Sequence, residues 1–181
     1  MYPEPLPAGR ITLRRLRPAD TDALLAYRSL PEVARYQGYE PYDRPAAEQL
    51  IDGQQHQPFG LPDQWLQLGI ALSESDQLIG DCGIHFLTRE PQLIEIGFTL
   101  SPAYQRRGYG TEAIRRLVDF LFGQTDTRRI IATTDAENEP ARRLLLRVGF
   151  RQEAHFIENT FFKGQWGSEY QFALLRREWA G

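Results

Sequence analysis

The chain has 181 residues, 41 % of them hydrophobic and 25 % charged, with a formal net charge of −3. This is enough apolar material for one globular domain with a continuous core over residues 1–181. The basic residues are dispersed rather than gathered on one face, which argues against a nucleic-acid partner. No apolar stretch approaches the roughly 20 residues that span a bilayer, and the first residues lack the basic and apolar regions of a signal peptide, so no membrane partner and a cytoplasmic location are expected. A lone cysteine, Cys82, excludes an intramolecular disulfide, and with three scattered histidines it offers no metal-ligand spacing.

In chain order, residues 1–9 carry three prolines and read as a loose arm. Residues 11–17 are predicted to form the first strand, and Asp20 to cap a helix bearing Leu24, Leu25 and Tyr27. Residues 31–41 read as a loop, whose Tyr36 and Tyr39, with Tyr42 just beyond, either line a ligand mouth or simply pack. A second helix starts at Asp43 with Pro45 in its first turn and ends before Gly53. Residues 65–72 and 78–86 form a hairpin through the polar turn 73–76, and residues 92–100 pair with it. In that third strand Ile94, Ile96, Phe98 and Leu100 alternate with Glu95, Gly97 and Thr99.

The run Gln105-Arg106-Arg107-Gly108-Tyr109-Gly110-Thr111 follows that strand and precedes an amphipathic helix in which Ile114, Leu117, Val118 and Leu121 recur at helical spacing up to Gly123. Two glycines permit close backbone approach and positive φ, the first helical N–H groups lack partners, and two arginines add charge. Together these predict an anion cradle. A P-loop is excluded because no Gly-Lys-Ser/Thr run exists. The weaker dinucleotide pattern is met by Gly108-x-Gly110-x-x-Ala113, but such a fingerprint follows its strand at once and opens the fold, whereas here residues 101–104 intervene and about a hundred residues come first. Beyond lie a strand over 129–134, a helix over 140–148 closed by Gly149, and two last strands near 150–156 and 170–175.

The cradle resembles the signature Gln/Arg-x-x-Gly-x-Gly/Ala of the GNAT superfamily of acetyl-CoA-dependent N-acetyltransferases. It resembles especially the branch related to the ribosomal-protein N-terminal (alanine/serine) acetyltransferases. Further segments are similar to that branch in the same order: residues 11–17 with Asp20, residues 78–83, residues 94–98, and Asn138 through Gly149-Phe150. The resemblance implies an α+β fold, a mixed, largely antiparallel sheet of about seven strands flanked by helices with one parallel pair. It also implies an enzyme moving an acetyl group from acetyl-CoA to a primary amine by direct transfer in a ternary complex. The alternative is a non-catalytic acyl-CoA-binding or regulatory domain on the same fold.

By the same resemblance, the main chain of Phe98, Thr99 and Leu100 takes the pantetheine amides. The turn from Gln105 through Arg106, Arg107, Gly108, Tyr109, Gly110 and Thr111 takes the pyrophosphate, and Asn138 contacts the pantetheine arm or, as the residues alone also allow, caps a helix. The family's acid hydroxyls are absent, since Ala141 and Leu145 stand at those positions. Glu95 is the first candidate for the base, against an ordinary exposed strand glutamate, with Asp81 and His85 in reserve. Cys82, isolated in an apolar strand, reads as an inert core residue rather than an acyl carrier. Coenzyme A and an amine are the implied partners, and the resemblance allows a homodimer. Protein N-termini, polyamines and aminoglycoside-like amines all stay open as acceptors.

Overall fold

The computed structural model describes residues 5–88 and 92–180. Residues 1–4 of the expected arm and residue 181 lie outside them. One eight-stranded sheet organises the chain in the order β1-β2-β3-β4-β5-β6-β8-β7. Its strands are β1 (Leu6–Ala8), β2 (Ile11–Arg15), β3 (Trp65–Leu72), β4 (Leu78–Phe86), β5 (Leu93–Leu100), β6 (Arg129–Asp135), β7 (Arg151–Phe162) and β8 (Gln165–Leu175). Every neighbouring pair is antiparallel except β5 and β6. The eighth strand is β1: the described part of the arm is not loose, because Leu6, Pro7 and Ala8 pair with Leu13, Thr12 and Ile11. Pro7 is tolerated there because β1 is an edge, where a missing N–H costs no ladder bond.

Among the described residues five α-helices flank the sheet: α1 (Thr21–Arg28), α2 (Pro31–Ala34), α3 (Arg44–Gln55), α4 (Tyr109–Gln124) and α5 (Glu139–Val148). On one face, Ile114, Leu117, Val118 and Leu121 of α4 and Leu145 and Val148 of α5 pack with Leu13, Ile70, Cys82, Ile96 and Ile130 in the main core. Each such side chain, fully buried, contributes about 1.5–3 kcal/mol. A second cluster joins Leu24 and Tyr27 of α1 with Ala47 and Ile51 of α3 over Leu16 and Leu78.

Several boundaries differ from the sequence expectation for identifiable reasons. The loop 31–41 begins with the short helix α2, with Pro31 in its first turn. Helix α3 runs through Gly53, because Gln54 one residue later is held by Gln67 N–H donating to its Oε1 (2.8 Å) and by its own Nε2 donating to Trp65 O (3.3 Å). Asp20 precedes α1 but does not cap it. Its carboxylate instead accepts from Arg14 at 2.8 and 2.9 Å and from Arg17 N–H at 2.7 Å, tying the end of β2 to the helix start. Helix α4 begins at Tyr109, inside the glycine run, and passes Gly123 by one residue. Gly149 closes α5 in the left-handed conformation (φ 119°), its N–H and that of Phe150 both reaching Leu145 O.

Candidate active site

The single parallel seam is short. β5 and β6 pair only at Leu93↔Arg129, Ile94↔Ile130 and Glu95↔Ile131, although β5 continues to Leu100 and β6 stays with β8 as far as Asp135↔Glu169. Past Glu95 the two strands diverge, and that edge of β5 has no strand neighbour. Which main-chain groups face the gap follows from strand alternation. Ser101 N–H donates to Ile79 O (2.9 Å), and a Cβ placed on Gly80 would come within 2.4 Å of Thr99 O, so residues 99 and 101 address β4. Phe98 O and Leu100 O address the gap, where they accept from Gln37 Nε2 (3.5 Å) and Gln105 Nε2 (2.9 Å). Thr99, expected to act with its two neighbours through its main chain, therefore does not, and its side chain is buried.

At the end of this edge lies the glycine turn. Arg106 (φ 61°) and Gly108 (φ 89°) are both left-handed, a conformation free for glycine but uncommon for arginine, and one associated with functional turns. The first helical bond of α4 runs from Glu112 N–H to Gly108 O (3.1 Å), which leaves the N–H groups of Gly108, Tyr109, Gly110 and Thr111 outside the helical ladder, pointing off its positive end. Among the described residues Arg106 and Arg107 have no carboxylate partner. The nearby acid is neutralised: Glu112 accepts from Arg10 Nη2 (2.9 Å), Nε (3.0 Å) and backbone N–H (2.6 Å), while Arg10 also donates to Arg107 O (3.1 Å) and lies 4.5 Å from the centre of the Tyr109 ring. Arg115 and Arg116 turn away, donating to Arg147 O and Pro7 O. Gly110 is buried, and a Cβ there would meet Leu144 Cδ1 at 2.7 Å. Its small size thus serves the contact between α4 and α5 as well as any ligand.

On the other side of the diverging strands is a cleft of about 510 Å³ walled by Glu95, Ile96 and Gly97 of β5, Thr133–Asp135 of β6, the loop after α2 and the β7–β8 hairpin. A second cavity, about 430 Å³ between α1 and α3, shares no lining residue with this cleft. Glu95 is partly exposed into the first cleft, with Oε2 3.6 Å from Nδ1 of His85, its cross-strand neighbour. That nitrogen is buried without a hydrogen-bond partner. The indole of Trp65 stacks on the imidazole at 4.9 Å and lies across Gly83 and Gly97, where a Cβ would meet the ring at 2.7 and 3.6 Å. Two glycines thus make room for an aromatic floor beside the carboxylate. Nothing in the spacing of Trp65, Gln37, Thr133 or Lys163 marks them in the sequence as cleft residues.

Asp81 has a different occupation. It is 1 % exposed, Oδ1 accepts from Arg28 Nη2 (2.7 Å), and Oδ2 accepts from Tyr27 O–H (2.5 Å) and Arg28 Nε (3.2 Å). Burial works against the charge on Arg28, but Asp81 outweighs it and holds the guanidinium above its ordinary range. Burial, and then Asp81, push the Tyr27 hydroxyl well up. As a reserve base Asp81 is therefore withdrawn: both oxygens are committed to holding α1 on the sheet. Tyr39 and Tyr42 pack on the same guanidinium at 4.4 and 5.0 Å, leaving Tyr36 as the loop tyrosine that lines the cleft.

Asn138 caps α5, its Oδ1 accepting from Ala141 N–H at 3.2 Å. Leu145 is 1 % exposed and Ala141 8 %, so these two positions of α5 bring no hydroxyl to the seam. Cys82 is fully buried in the main core, and burial pushes its thiol up, away from the thiolate an acyl carrier needs.

Fold and site define a class: an α+β sheet opened at its one parallel seam above the N-terminus of the crossover helix. The chain belongs to the GNAT acetyltransferase family, whose acetyltransferase (GNAT) domain matches residues 10–151, and it is an N-acetyltransferase by kinship. The uncharacterized N-acetyltransferase p20 of Bacillus licheniformis is 34 % identical over 179 residues, covering 98 % of this chain and 99 % of that one. YoaA of Bacillus subtilis, also named an N-acetyltransferase, is 32 % identical over 88 % of this chain and 89 % of its own. Among solved structures, a GNAT-family acetyltransferase from Bacillus anthracis superposes with a TM-score of 0.86 at 24 % identity over 97 % of this chain and all of its own. A spermidine N-acetyltransferase from Vibrio cholerae, solved with CoA and spermine, gives 0.79 at 21 % identity over 94 % and 98 %.

Proposed function

We propose that the protein transfers the acetyl group of acetyl-CoA to a primary amine by direct attack, both substrates being bound together. The observation that carries this reading is the continuity of three features: the main-chain edge at Phe98 and Leu100, covered by two glutamine side chains and not by a strand, the unpaired N–H groups and arginines of residues 106–111 at its end, and Glu95 facing the cleft beside its start. Phe98 and Leu100 offer carbonyls and N–H groups to the two pantetheine amides in the manner of an added strand, displacing the side chains of Gln37 and Gln105. The N–H groups of residues 106–111 receive the pyrophosphate, with Arg106 and Arg107 completing its charge.

In the cleft, Glu95 takes the proton of the acceptor ammonium, directly or through water, and His85 behind it can receive or stabilise that proton across the 3.6 Å gap. The neutral amine then attacks the thioester carbonyl; the N–C bond forms, the C–S bond breaks, and the nitrogen gives up its second proton to solvent or to the departing sulfur, leaving a neutral amide. Without a hydroxyl at Ala141 or Leu145 the sulfur leaves as a thiolate, which a thiol pKa of about 8.5 permits. Asp135 and Glu169 line the same cleft, while Glu137 is taken up by Arg35 at 2.7 Å; with Glu95 the two favour a cationic acceptor such as a polyamine, the class bound in the Vibrio cholerae neighbour. A peptide N-terminus is the second choice.

The test is acetyl-CoA consumption across panels of polyamines, peptides and other small amines, together with ligand-induced thermal shifts. Acetyl-CoA at about a hundred times its dissociation constant should stabilise the protein by roughly 2.7 kcal/mol, and NAD should not. Equal shifts from both, or a preference for NAD, would sink the donor assignment. Tight acetyl-CoA binding with no amine turned over would overturn the acyl-transfer step alone.

A further inference from the structure

One side chain ties the tip of the β7–β8 hairpin to the opposite wall of the cleft. Lys163 and Gly164 form the two-residue turn, both left-handed at φ 49° and 81°, as a type I′ hairpin requires. Lys163 Nζ donates to Ala34 O at 2.7 Å and to Tyr39 O at 2.9 Å. Those carbonyls bracket the loop after α2, whose Gln37 reaches Phe98 O on the open strand edge. A single ammonium therefore links the hairpin to the loop, and through the loop to β5.

Composition sets this residue apart. Of 21 basic residues 20 are arginines, and Lys163 is the one lysine in the chain. Two carbonyls within 3 Å of one atom suit three donors on a tetrahedral nitrogen better than the flat five-donor fork of arginine. An amine is also nucleophilic toward acyl thioesters where a guanidinium is not. Lys163 is thus the one side chain that the enzyme's own donor can acylate in this way, and it lines the same cleft as Glu95.

We propose that Lys163 is a latch closing the acceptor cleft and that its acetylation by acetyl-CoA opens it. The closed amine is engaged by both carbonyls, so the reaction draws on the open form and traps it. Nζ loses a proton to solvent and attacks the thioester carbonyl carbon; the N–C bond forms, the C–S bond breaks, and the departing thiolate takes up a proton. The resulting amide is uncharged and keeps one N–H, so at least one of Ala34 O and Tyr39 O loses its partner. This inference rests on the cleft being the acceptor site.

The test compares wild type, K163R, K163M and wild type incubated with acetyl-CoA, with peptide mass mapping to confirm where acetyl groups attach. Two quantities are read: amide hydrogen exchange over residues 35–40 and steady-state constants on an amine from the panel. K163M and the acetylated protein should exchange about tenfold faster there and shift the acceptor KM by a similar factor, with the KM for acetyl-CoA within about twofold of wild type, as loss of charged hydrogen bonds at this one place implies. K163R should keep part of the protection and be insensitive to acetyl-CoA treatment. Unchanged exchange in K163M overturns the latch, and a Lys163 left unmodified by acetyl-CoA overturns its acetylation. Faster exchange with an unchanged acceptor KM overturns the link to the cleft. Failure of the acetyl-transfer reading looks different: no amine is turned over by wild type, while the exchange response to K163M persists.

Discussion

Replacing Asp81 separates structure from catalysis at the position most easily mistaken for a base. Its carboxylate and the Arg28 guanidinium are 2 % and 4 % exposed, held by two N–H···O bonds and one from the Tyr27 hydroxyl. Asp81→Leu leaves a guanidinium buried without its counter-charge and a buried hydroxyl without its acceptor. Breaking a buried pair from one side costs about 3–5 kcal/mol, which raises the unfolding constant roughly a hundred- to several-thousand-fold. With a urea slope of about 2 kcal/mol/M, the midpoint should fall by roughly 1.5–2.5 M at unchanged slope. The double variant Asp81→Leu/Arg28→Met should recover a large part of the loss, since an apolar pair of similar volume needs no counter-charge. Urea unfolding followed by circular dichroism measures all three proteins, and turnover is compared under conditions where each is folded. A single variant with wild-type stability and abolished turnover would refute this account and return Asp81 to the catalytic groups.

Glu95→Gln should keep the affinity for acetyl-CoA and lower turnover by roughly 10²–10⁴-fold, with part of the loss regained at higher pH as more acceptor amine is neutral; an unchanged pH–rate profile removes Glu95 from the mechanism. Arg106→Ala/Arg107→Ala, two exposed positions, should weaken acetyl-CoA binding in calorimetric titration by tenfold or more while leaving the melting temperature nearly unchanged, and normal binding would show the turn to be structural. Gly108→Val places a β-branched residue at φ 89° and should cost about 1–2 kcal/mol of stability as well as cofactor affinity, whereas Gly110→Val should lower stability further through Leu144, which differential scanning calorimetry of the pair will rank. Partial burial opposes the charge on Asp76, but Arg14 and Arg17 outweigh it and hold the carboxyl below its ordinary 3.8; a depressed folded value stabilises above the unfolded one and is lost as pH falls through the folded one. Melting temperature should therefore drop less steeply below about pH 4 in Asp76→Asn than in wild type, and parallel curves would contradict the pairing.

The elements that carry the site were legible because their signals are local. Alternation from Ile94 to Leu100 and helical spacing from Ile114 to Leu121 each follow from one element meeting one apolar layer. The short strand at Leu6–Ala8 was not legible, since Pro5 before it and Pro7 within it mask a pairing that depends on β2. Asp81 and Glu95 look alike in sequence, each a lone acid in an apolar strand. They differ because α1 brings Tyr27 and Arg28 onto one and the gap beside β6 exposes the other, a distinction set more than fifty positions away in the chain for the Arg28 contact. Thr99 was misassigned for a simpler reason: the direction of a main-chain carbonyl depends on register with β4, which no side chain encodes.

The short parallel seam also divides the molecule's evolutionary freedom. Every group proposed for the donor, from Phe98 to Thr111, comes from one unbroken run of strand, turn and helix, so its geometry is inherited as a block. The opposing wall is assembled from segments scattered along the chain, at 35–38, at 65 and at 160–169, which touch that run, Gln37 at Phe98 O and Trp65 over Gly97, but lie outside it. Substitutions there can reshape which amine is admitted while leaving the handle for the acyl carrier intact. Transplanting those three segments between relatives is accordingly a route to exchanging acceptors on a constant engine.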